Sequence, residues 1–286
     1  MKKVLIIGNK GMLGQELEKL FGQDKKYETI GWDLEEIDIT DGIPTMKKII
    51  ALAPSIIINA AAYNAVDKAE EIWGMEMARK INGMAPKFLA QAAKNIGAIF
   101  VHFGTDYVFD GEKKSGYKED DEPSPVSNYG VSKLMGERQV EWTGGRYYII
   151  RLQKLFGHPA QSTSAKKSFF EVMLALALTK KELEVVDDEL ANFTYAPDLA
   201  TQTKYLVEAG YSPGVYHVTN EGKPVTWFGA VQILFEIAGI KDIKLIPVPA
   251  TRFPRPAKRP KYSVLLNTKL PPLRSWEEAL REFLNK

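Results

Sequence analysis

Residues 4–14 read VLIIGNKGMLG, an apolar run followed at once by three glycines at three-residue spacing. The apolar run predicts a buried strand, and the residues from Met12 onward predict a helix. A glycine turn between a strand and a helix lets backbone N–H groups and the positive helix end approach a pyrophosphate, because no β-carbon obstructs it. Gly8, Gly11 and Gly14 therefore predict a dinucleotide-binding turn, and their position strengthens a pattern that is weak alone.

A carboxylate stands at the end of the second apolar run. Asp33 follows Gly31 and Trp32, where a carboxylate accepts hydrogen bonds from an adenosine ribose and repels a 2′-phosphate. No arginine follows closely to bind that phosphate. We therefore predict NADH as the cofactor, with NADPH as the alternative. Asp38 and Ile39 are candidates to flank the adenine, although Asp38 alternatively serves only as a turn residue.

The first two thirds of the chain alternate between short apolar runs and helical stretches. The runs lack an in–out alternation, which indicates burial on both faces and a parallel sheet. The predicted strands are Val4–Ile7, Tyr27–Trp32, Ser55–Asn59, Ala98–Phe103 and Tyr147–Arg151. The predicted helices are Met12–Phe21, Ile43–Leu52, Asp67–Asn95 with a break near Gly83, and Tyr129–Glu141. This pattern predicts an α/β fold with a Rossmann-type doubly wound parallel sheet.

The composition is that of an ordinary globular protein. Of the 286 residues, 45% are hydrophobic and 26% are charged, and the net charge of +2 argues against an extended nucleic-acid footprint. The absence of cysteine excludes disulfides, thiolate zinc sites and cysteine nucleophiles. The three histidines are too scattered to indicate a metal site, and we predict no metal. The run Val4–Ile7 is too short to span a membrane, so we predict a cytoplasmic protein without a membrane partner.

Tyr129 and Lys133 are four residues apart at the start of a predicted helix, so they share one face. A phenol has a pKa of about 10, and we expect the Lys133 ammonium and an oxidised nicotinamide to lower it towards the working range. Thr105 follows the fourth predicted strand, where open α/β sheets bind ligands. Its hydroxyl is expected to donate to a substrate carbonyl oxygen. The alternative for Thr105 is a cap at the strand end.

Further motifs accompany the glycine turn. They are NAAAY at 59–63, AVDKAE at 65–70, TDYVFDG at 105–111, YGVSK at 129–133, VVDD at 185–188, YAPDLA at 195–200 and the ending between Phe253 and Thr268. Together they resemble the extended short-chain dehydrogenase/reductases and, within them, the dTDP-4-dehydrorhamnose reductase family. The resemblance implies hydride transfer to C4 of a nucleotide-linked 4-keto-6-deoxysugar, converting dTDP-4-dehydrorhamnose to dTDP-rhamnose, with Tyr129 as the proton donor.

The same resemblance implies roles for individual residues, with Thr105, Tyr129 and Lys133 as the catalytic triad. The residues expected to bind the cofactor are Gly8, Gly11, Met12, Leu13, Gly14, Asp33, Asp38, Ile39, Ala61, Ala62, Tyr63, Tyr129 and Lys133. Those expected to bind the substrate are Thr105, Asp106, Tyr129, Lys154 and Arg259. A homodimer is a further expectation. Glu16 matches a position through which some relatives bind magnesium at an interface, but hydride transfer does not require a metal.

Several residues depart from the family's pattern. Lys154 replaces a tryptophan that packs at the substrate, Ala191 and Phe193 replace a glycine and a proline, and Gly104 replaces a serine. We expect these positions to face the sugar and to alter which sugar fits. For Lys154, an ionic contact to a pyrophosphate or acidic group and a side chain pointing to solvent are the alternatives. Sugar-nucleotide dehydratases of the superfamily have Asp-Glu after the threonine, whereas this chain has Asp106 and a tyrosine, so dehydration is not expected.

Two other functions compete with the reductase. One is a non-catalytic NAD(P)-binding regulatory subunit like that of methionine adenosyltransferase, which the altered sugar-side residues favour and the intact triad opposes. The other is a nucleic-acid contact through the basic, proline-rich segment Arg252–Lys261. Because the net charge is only +2, binding of a nucleotide diphosphate suits that segment better.

The chain is expected to form two domains. Residues 1–152, with returning segments at about 183–209 and 226–246, form the dinucleotide-binding domain. Residues at about 153–182, 210–225 and 247–286 form a smaller α/β sugar-nucleotide-binding domain. The long loops Asp106–Asn128 and Gly157–Lys167 are candidates for lids or binding loops, with solvated surface excursions as the alternative.

Overall fold

The computed structural model describes residues 1–162 and 165–285. Its strands are β1 (Lys2–Ile7), β2 (Tyr27–Trp32), β3 (Ile56–Asn59), β4 (Ile99–Thr105), β5 (Arg146–Leu152), β6 (Leu155–Phe156), β7 (Glu182–Val186), β8 (Leu190–Ala191), β9 (Thr194–Tyr195), β10 (Gly214–His217), β11 (Val225–Thr226) and β12 (Lys244–Val248). Its helices are α1 (Met12–Gly22), α2 (Gly42–Leu52), α3 (Ile72–Ala78), α4 (Ala85–Asn95), α5 (Asn128–Thr143), α6 (Phe169–Ala177), α7 (Ala196–Ala209), α8 (Trp227–Ala238) and α9 (Trp276–Leu284).

Six parallel strands form the central sheet, in the order β10-β5-β4-β3-β1-β2. The predicted α/β fold with a doubly wound parallel sheet is confirmed, and β1 to β5 begin and end within two residues of the predicted strands. After β1 the chain adds β2 on one side and then crosses to add β3 on the other side. Such a reversal opens a crevice at the carboxyl ends of the strands, which is where sheets of this type bind ligands.

Helices cover both faces of this sheet, which explains why the strands are apolar throughout. Val4 and Ile6 of β1 pack with residues of α1 and α7 on one face. Leu5 and Ile7 pack with residues of α2, α4 and α5 on the other face. All four of these side chains have lost almost all contact with solvent. Among the described residues, no helix is both long and apolar enough to cross a membrane.

A second hydrophobic core lies outside the sheet and corrects the expected domain boundaries. It joins α6, α8 and α9 with β7 and β9, and β12 pairs with β7. Residues 183–195 and 226–246 pack in this second core, whereas they were predicted to lie in the dinucleotide-binding domain. Conversely, β10 was expected in the smaller unit but completes the central sheet beside β5. The helix α7 packs on α1.

The predicted helix Asp67–Asn95 is divided, as expected near Gly83, but into more pieces than expected. A short 3-10 helix at Lys68–Glu70 precedes α3, and a π-helix at Arg79–Met84 joins α3 to α4. A β-carbon on Gly136 of α5 would lie 2.1 Å from the backbone oxygen of Asn82, so glycine at that position permits the close approach of α5 to the π-helix. The wide π turn turns Asn82 inward, where it is almost fully buried.

Ion pairs fasten the basic segment Arg252–Lys261 to both units. Arg252 pairs with Glu184 on β7, and Arg255 pairs with Glu189 in the smaller unit. Arg259 pairs with Asp67, which precedes the 3-10 helix in the larger unit. The charges of these three arginines are therefore paired with carboxylates of the chain, and are not left free to bind an anionic ligand.

Candidate active site

The glycine turn lies at the sheet's switch point and leaves no room for side chains. Gly8 has a φ of +79°, and a β-carbon there would lie 2.8 Å from the backbone nitrogen of Ala61 after β3. A β-carbon on Gly14 would lie 2.0 Å from the carbonyl oxygen of Gly8. Gly11 is the N-cap of α1 and supplies no side chain to its first N–H groups. This cradle of bare backbone at a helix N-terminus fits a dinucleotide pyrophosphate.

Asp33 faces the glycine turn from the end of β2. Its carboxylate accepts hydrogen bonds from the backbone nitrogens of Lys10 (3.2 Å) and Leu34 (2.8 Å). Asp33 therefore lies at the rim of the turn, and its contact to a ribose stays a prediction. Asp38 instead holds Thr40 in a turn, with its carboxylate 2.7 Å from the threonine hydroxyl.

Of the remaining residues expected to bind the cofactor, Met12 and Leu13 begin α1, Ile39 follows β2, and Ala61, Ala62 and Tyr63 follow β3. Ile39 is buried in the core beneath Trp32, and Ala61 packs at the edge of the same core. Tyr63 is held through its backbone, whose nitrogen and oxygen both bond to the Asn82 amide at 2.8 and 3.0 Å. Their contact with a cofactor stays a prediction.

Thr105, Asp106 and Tyr129 come together at the carboxyl end of β4. The Thr105 hydroxyl donates to the Asp106 carboxylate at 3.1 Å and accepts from the backbone nitrogen of Tyr107 at 3.3 Å. The Thr105 hydroxyl also lies beside the Tyr129 phenol and favours its ionised form, while the phenol itself donates to the side-chain amide oxygen of Asn64 at 3.5 Å. Thr105 therefore caps the strand end, as the alternative interpretation held, and also touches the predicted proton donor.

Burial sets the pKa of Tyr129 above its ordinary value, which corrects the expectation that Lys133 lowers it. The Asp106 carboxylate raises this pKa further, while the nearby Thr105 hydroxyl partly opposes the shift. Lys133 sits one helical turn away, but its amine donates to the carbonyl oxygen of Phe103 at 2.6 Å. Burial lowers the pKa of Lys133 to about 8, partly offset by Glu137.

A cavity of about 120 Å³ adjoins this cluster. The lining side chains on which its chemistry depends are Asp106, Lys154, Glu189, Trp227, Arg259 and Ser263. Burial raises the pKa of Asp106 to about 6, although hydrogen bonds from Ser263 and Thr105 oppose the shift. The cavity therefore holds an acidic group beside the two hydroxyls of the predicted triad.

Lys154 lies inside this cavity, so the alternative in which it points to solvent is wrong. Its amine is shielded from solvent and stands 3.9 Å above the ring of Trp227. Burial lowers the pKa of Lys154 to about 7, while Asp106 and Glu189 act to raise it. The other candidate for substrate contact, Arg259, lines the same cavity but gives two short hydrogen bonds, of 2.5 and 2.6 Å, to Asp67.

A family model described as RmlD substrate binding domain matches residues 1–286. The chain belongs to this family. The spore coat polysaccharide biosynthesis protein SpsK of Bacillus subtilis is 35% identical over 290 residues, covering 100% of this chain and 98% of SpsK. A dTDP-4-dehydrorhamnose reductase of Clostridium acetobutylicum has a solved structure with a TM-score of 0.92 and 39% identity, covering 99% of this chain and 98% of that one. The reductase of Bacillus anthracis, solved in complex with NADP, has a TM-score of 0.92 and 32% identity, covering 100% and 99%.

Three of the residues that depart from the pattern of the RmlD family lie in the interior, not on the sugar side. Phe193 packs among the rings of the second core, and Ala191 is also fully buried. A β-carbon on Gly104 would lie 2.2 Å from the Glu137 carboxylate. The expectation that these three positions face the sugar is therefore wrong, because close packing fills the space around each. Lys154 alone, among the four, reaches the cavity.

Sequence reasoning missed several residues that build the site. Asn82 fixes the backbone of Tyr63, and the glycine after it within a helical stretch was the available signal. Glu137 pairs with Arg151, and its place one turn beyond Lys133 on the same helix face was a further signal. Trp227, which forms the wall beneath Lys154, gave no local signal.

The two long loops and Glu16 have defined surroundings. The loop Asp106–Asn128 contributes Asp106 to the cavity and then packs through Tyr117 on Leu265. In the loop Gly157–Lys167, the His158 ring bonds to the Glu16 carboxylate at 2.9 Å. Residues 163–164 of that loop lie outside the described part of the chain.

Proposed function

We propose that this protein reduces the C4 keto group of dTDP-4-dehydrorhamnose with NAD(P)H, giving dTDP-rhamnose. The observation that carries the proposal is the contact between the hydroxyls of Thr105 and Tyr129 at the carboxyl edge of the sheet, beside the Asp106 cavity. The dTDP-4-dehydrorhamnose reductases of C. acetobutylicum and B. anthracis share this fold along nearly the whole chain. The glycine turn supports a dinucleotide cofactor on the same side of the sheet.

When bound, NAD(P)H supplies the hydride that adds to the carbonyl carbon. The Tyr129 phenol then protonates the oxygen, and a pKa above its ordinary value keeps the phenol protonated at neutral pH and ready to donate. An alkoxide is a stronger base than a phenolate, so this proton transfer is favourable. Thr105 has a single hydroxyl proton, which must turn from Asp106 to reach a substrate oxygen.

Lys133 lies one turn after Tyr129 on α5, and we assign it a supporting role in the reaction. Its amine is buried and anchored to the Phe103 carbonyl, which fixes it below the strand end. With a pKa lowered to about 8, it is mostly protonated at neutral pH. We assign it the positioning of the nicotinamide ribose and the recovery of the phenol proton.

The test is oxidation of NADH or NADPH by the purified protein in the presence of dTDP-4-dehydrorhamnose. We expect stoichiometric formation of dTDP-rhamnose. Retention of NAD(P) binding with no turnover of this or any related keto sugar, and co-purification with a larger enzyme, would contradict catalysis and favour the regulatory-subunit alternative.

The preference for NADH, the homodimer and the cytoplasmic location stay predictions. Asp33 supports the preference for NADH, because its carboxylate faces the turn where a 2′-phosphate would approach. The exposed side chains of Ile72, Trp73 and Met75 on α3 supply an apolar surface for a second copy. Sedimentation analysis of the wild type and of a Trp73→Glu variant tests the dimer, which we expect only in the wild type.

A further inference from the structure

Two features of Lys154 lower the stability of the folded protein, its backbone conformation and its buried amine. Its φ is +39°, in the left-handed region that residues with a side chain rarely adopt. Its amine is buried, and it has no hydrogen-bond partner among residues 1–162 and 165–285. Strained backbone and unsatisfied buried groups are concentrated at functional sites, where a ligand supplies the missing interaction.

The groups around the amine leave its N–H donors available. One side of the amine rests on the face of Trp227, and the ring of Phe193 lies 5.4 Å away. The nearby carboxylates already serve other donors. Asp106 accepts from Thr105, while Glu189 accepts from the Trp227 indole at 3.0 Å and from Arg255.

The size and position of the cavity define what can reach this amine. Its volume of about 120 Å³ is well below the roughly 300–1,000 Å³ of pockets that enclose a drug-sized ligand. It therefore has room for a sugar substituent and not for a nucleotide. Asp106 lines the cavity and bonds to the Thr105 hydroxyl, which is the group proposed to contact the keto oxygen of the substrate.

The charges around the cavity favour a neutral acceptor. Arg259 is neutralised by Asp67 and Glu189 by Arg255, so that Lys154 and Asp106 remain as the opposing pair in the cavity. A phosphate or carboxylate entering here would gain from Lys154 but be repelled by Asp106. A hydroxyl group accepts from the ammonium and donates to the carboxylate, and so satisfies both.

We propose that Lys154 is a specificity-determining residue whose ammonium donates a hydrogen bond to a hydroxyl group on the sugar ring of the nucleotide-sugar substrate. The inference rests on the proposed function and deepens it. Lys154 takes the place of an apolar wall in the family's pattern, so this chain recognises the sugar through a charged hydrogen bond at a point where an aromatic side chain would give only packing.

The test is calorimetric titration of dTDP-rhamnose and of dTDP into the wild type and into Lys154→Met, which removes the donors and keeps the length of the side chain. We expect dTDP-rhamnose to bind the variant about 10- to 100-fold more weakly, since hydrogen bonds to charged groups have this strength. The affinity for dTDP alone is expected to stay within about twofold. Lys47→Met, at an exposed position on α2, is the matched control and is expected to bind both ligands like the wild type.

Three outcomes would overturn the inference. Equal weakening of both ligands would place the contact at the diphosphate, and unchanged binding of both would mean that the amine does not reach the ligand. Turnover of the keto sugar by the wild type would leave the proposed function standing in either case. A wild type that neither binds dTDP-rhamnose nor reduces the keto sugar would reject the proposed function and this inference together.

Discussion

The guanidinium of Arg151 donates to the carboxylate of Glu137 at 2.8 and 3.0 Å, and both side chains are almost completely buried. Gly104 leaves the space that this pair occupies between β4 and α5. We expect Glu137→Ala to lower the free energy of unfolding by about 3–5 kcal/mol, because it leaves an uncompensated charge in the interior. Urea unfolding measures this loss. Glu137→Gln keeps the shape but also leaves the Arg151 charge without a counter-ion, so we expect it to share most of this loss. A loss below about 1 kcal/mol for the alanine variant would contradict the role assigned to the pair.

Tyr129→Phe removes the proposed proton donor while retaining the ring that packs against Tyr107. We expect keto-sugar reduction to fall by about 10²- to 10⁴-fold, the usual contribution of general acid catalysis. NAD(P)H binding, measured by fluorescence titration, is expected to change little. A variant that keeps most of its turnover would show that another group supplies the proton.

Asp33→Ser tests the preference for NADH. Removing the carboxylate at the end of β2 removes its repulsion of a 2′-phosphate, and we expect the ratio of kcat/KM for NADPH to that for NADH to rise about tenfold. Steady-state kinetics with both cofactors measures this ratio. Asp38→Ser, in which only a turn contact is lost, is the comparison and is expected to leave the ratio unchanged.

Lys154→Met is expected to stabilise the protein at neutral pH, because the buried amine has no hydrogen-bond partner within the described ranges. An increase in Tm of about 2 °C or more corresponds to roughly 1 kcal/mol. Folding lowers the pKa of Lys154 from 10.5 to about 7, so the folded wild type binds fewer protons than the unfolded chain between these values. The wild type therefore gains stability relative to the variant as the pH rises through this window.

Thermal unfolding at pH 7 and pH 10 checks this dependence. The Tm advantage of Lys154→Met is expected to be largest at pH 7 and to shrink towards pH 10. Lys47→Met is expected to follow the wild type at both values. An advantage of the same size at both pH values would mean that the amine keeps its ordinary pKa in the folded protein.

The parts of the site that depend on neighbours in sequence were predictable. The glycine turn is a single turn of the chain, and Tyr129 and Lys133 lie on a single helix, so a short stretch of sequence is enough to predict each. The apolar runs are buried on both faces of the sheet, so their composition alone predicts the strands. The assignment of β7 and α8 to a domain depends on which surfaces meet across long stretches of chain. No local sequence pattern indicates which surfaces meet, and the predicted domain boundaries were wrong for β7 and α8.

The electrostatics of the site were also beyond sequence reasoning. From the sequence, Lys133 is the one cation visible near Tyr129, but in the folded protein desolvation has the largest effect on the phenol. The direction of Lys154 is set by an unusual backbone angle and by Trp227, which is distant in sequence. The pKa of Tyr129 and the direction of the Lys154 side chain both depend on contacts between residues that are distant in sequence.

The π-helix at Arg79–Met84 places the Asn82 side chain against the backbone of Tyr63, and a regular α-helix over the same residues would not. A π turn amounts to an α-helix with one residue inserted. Deleting a single residue here would give a smoother and better bonded helix, yet would rotate Asn82 away from the backbone of Tyr63 that it holds. The length of this stretch is therefore constrained as closely as the side chain at Asn82.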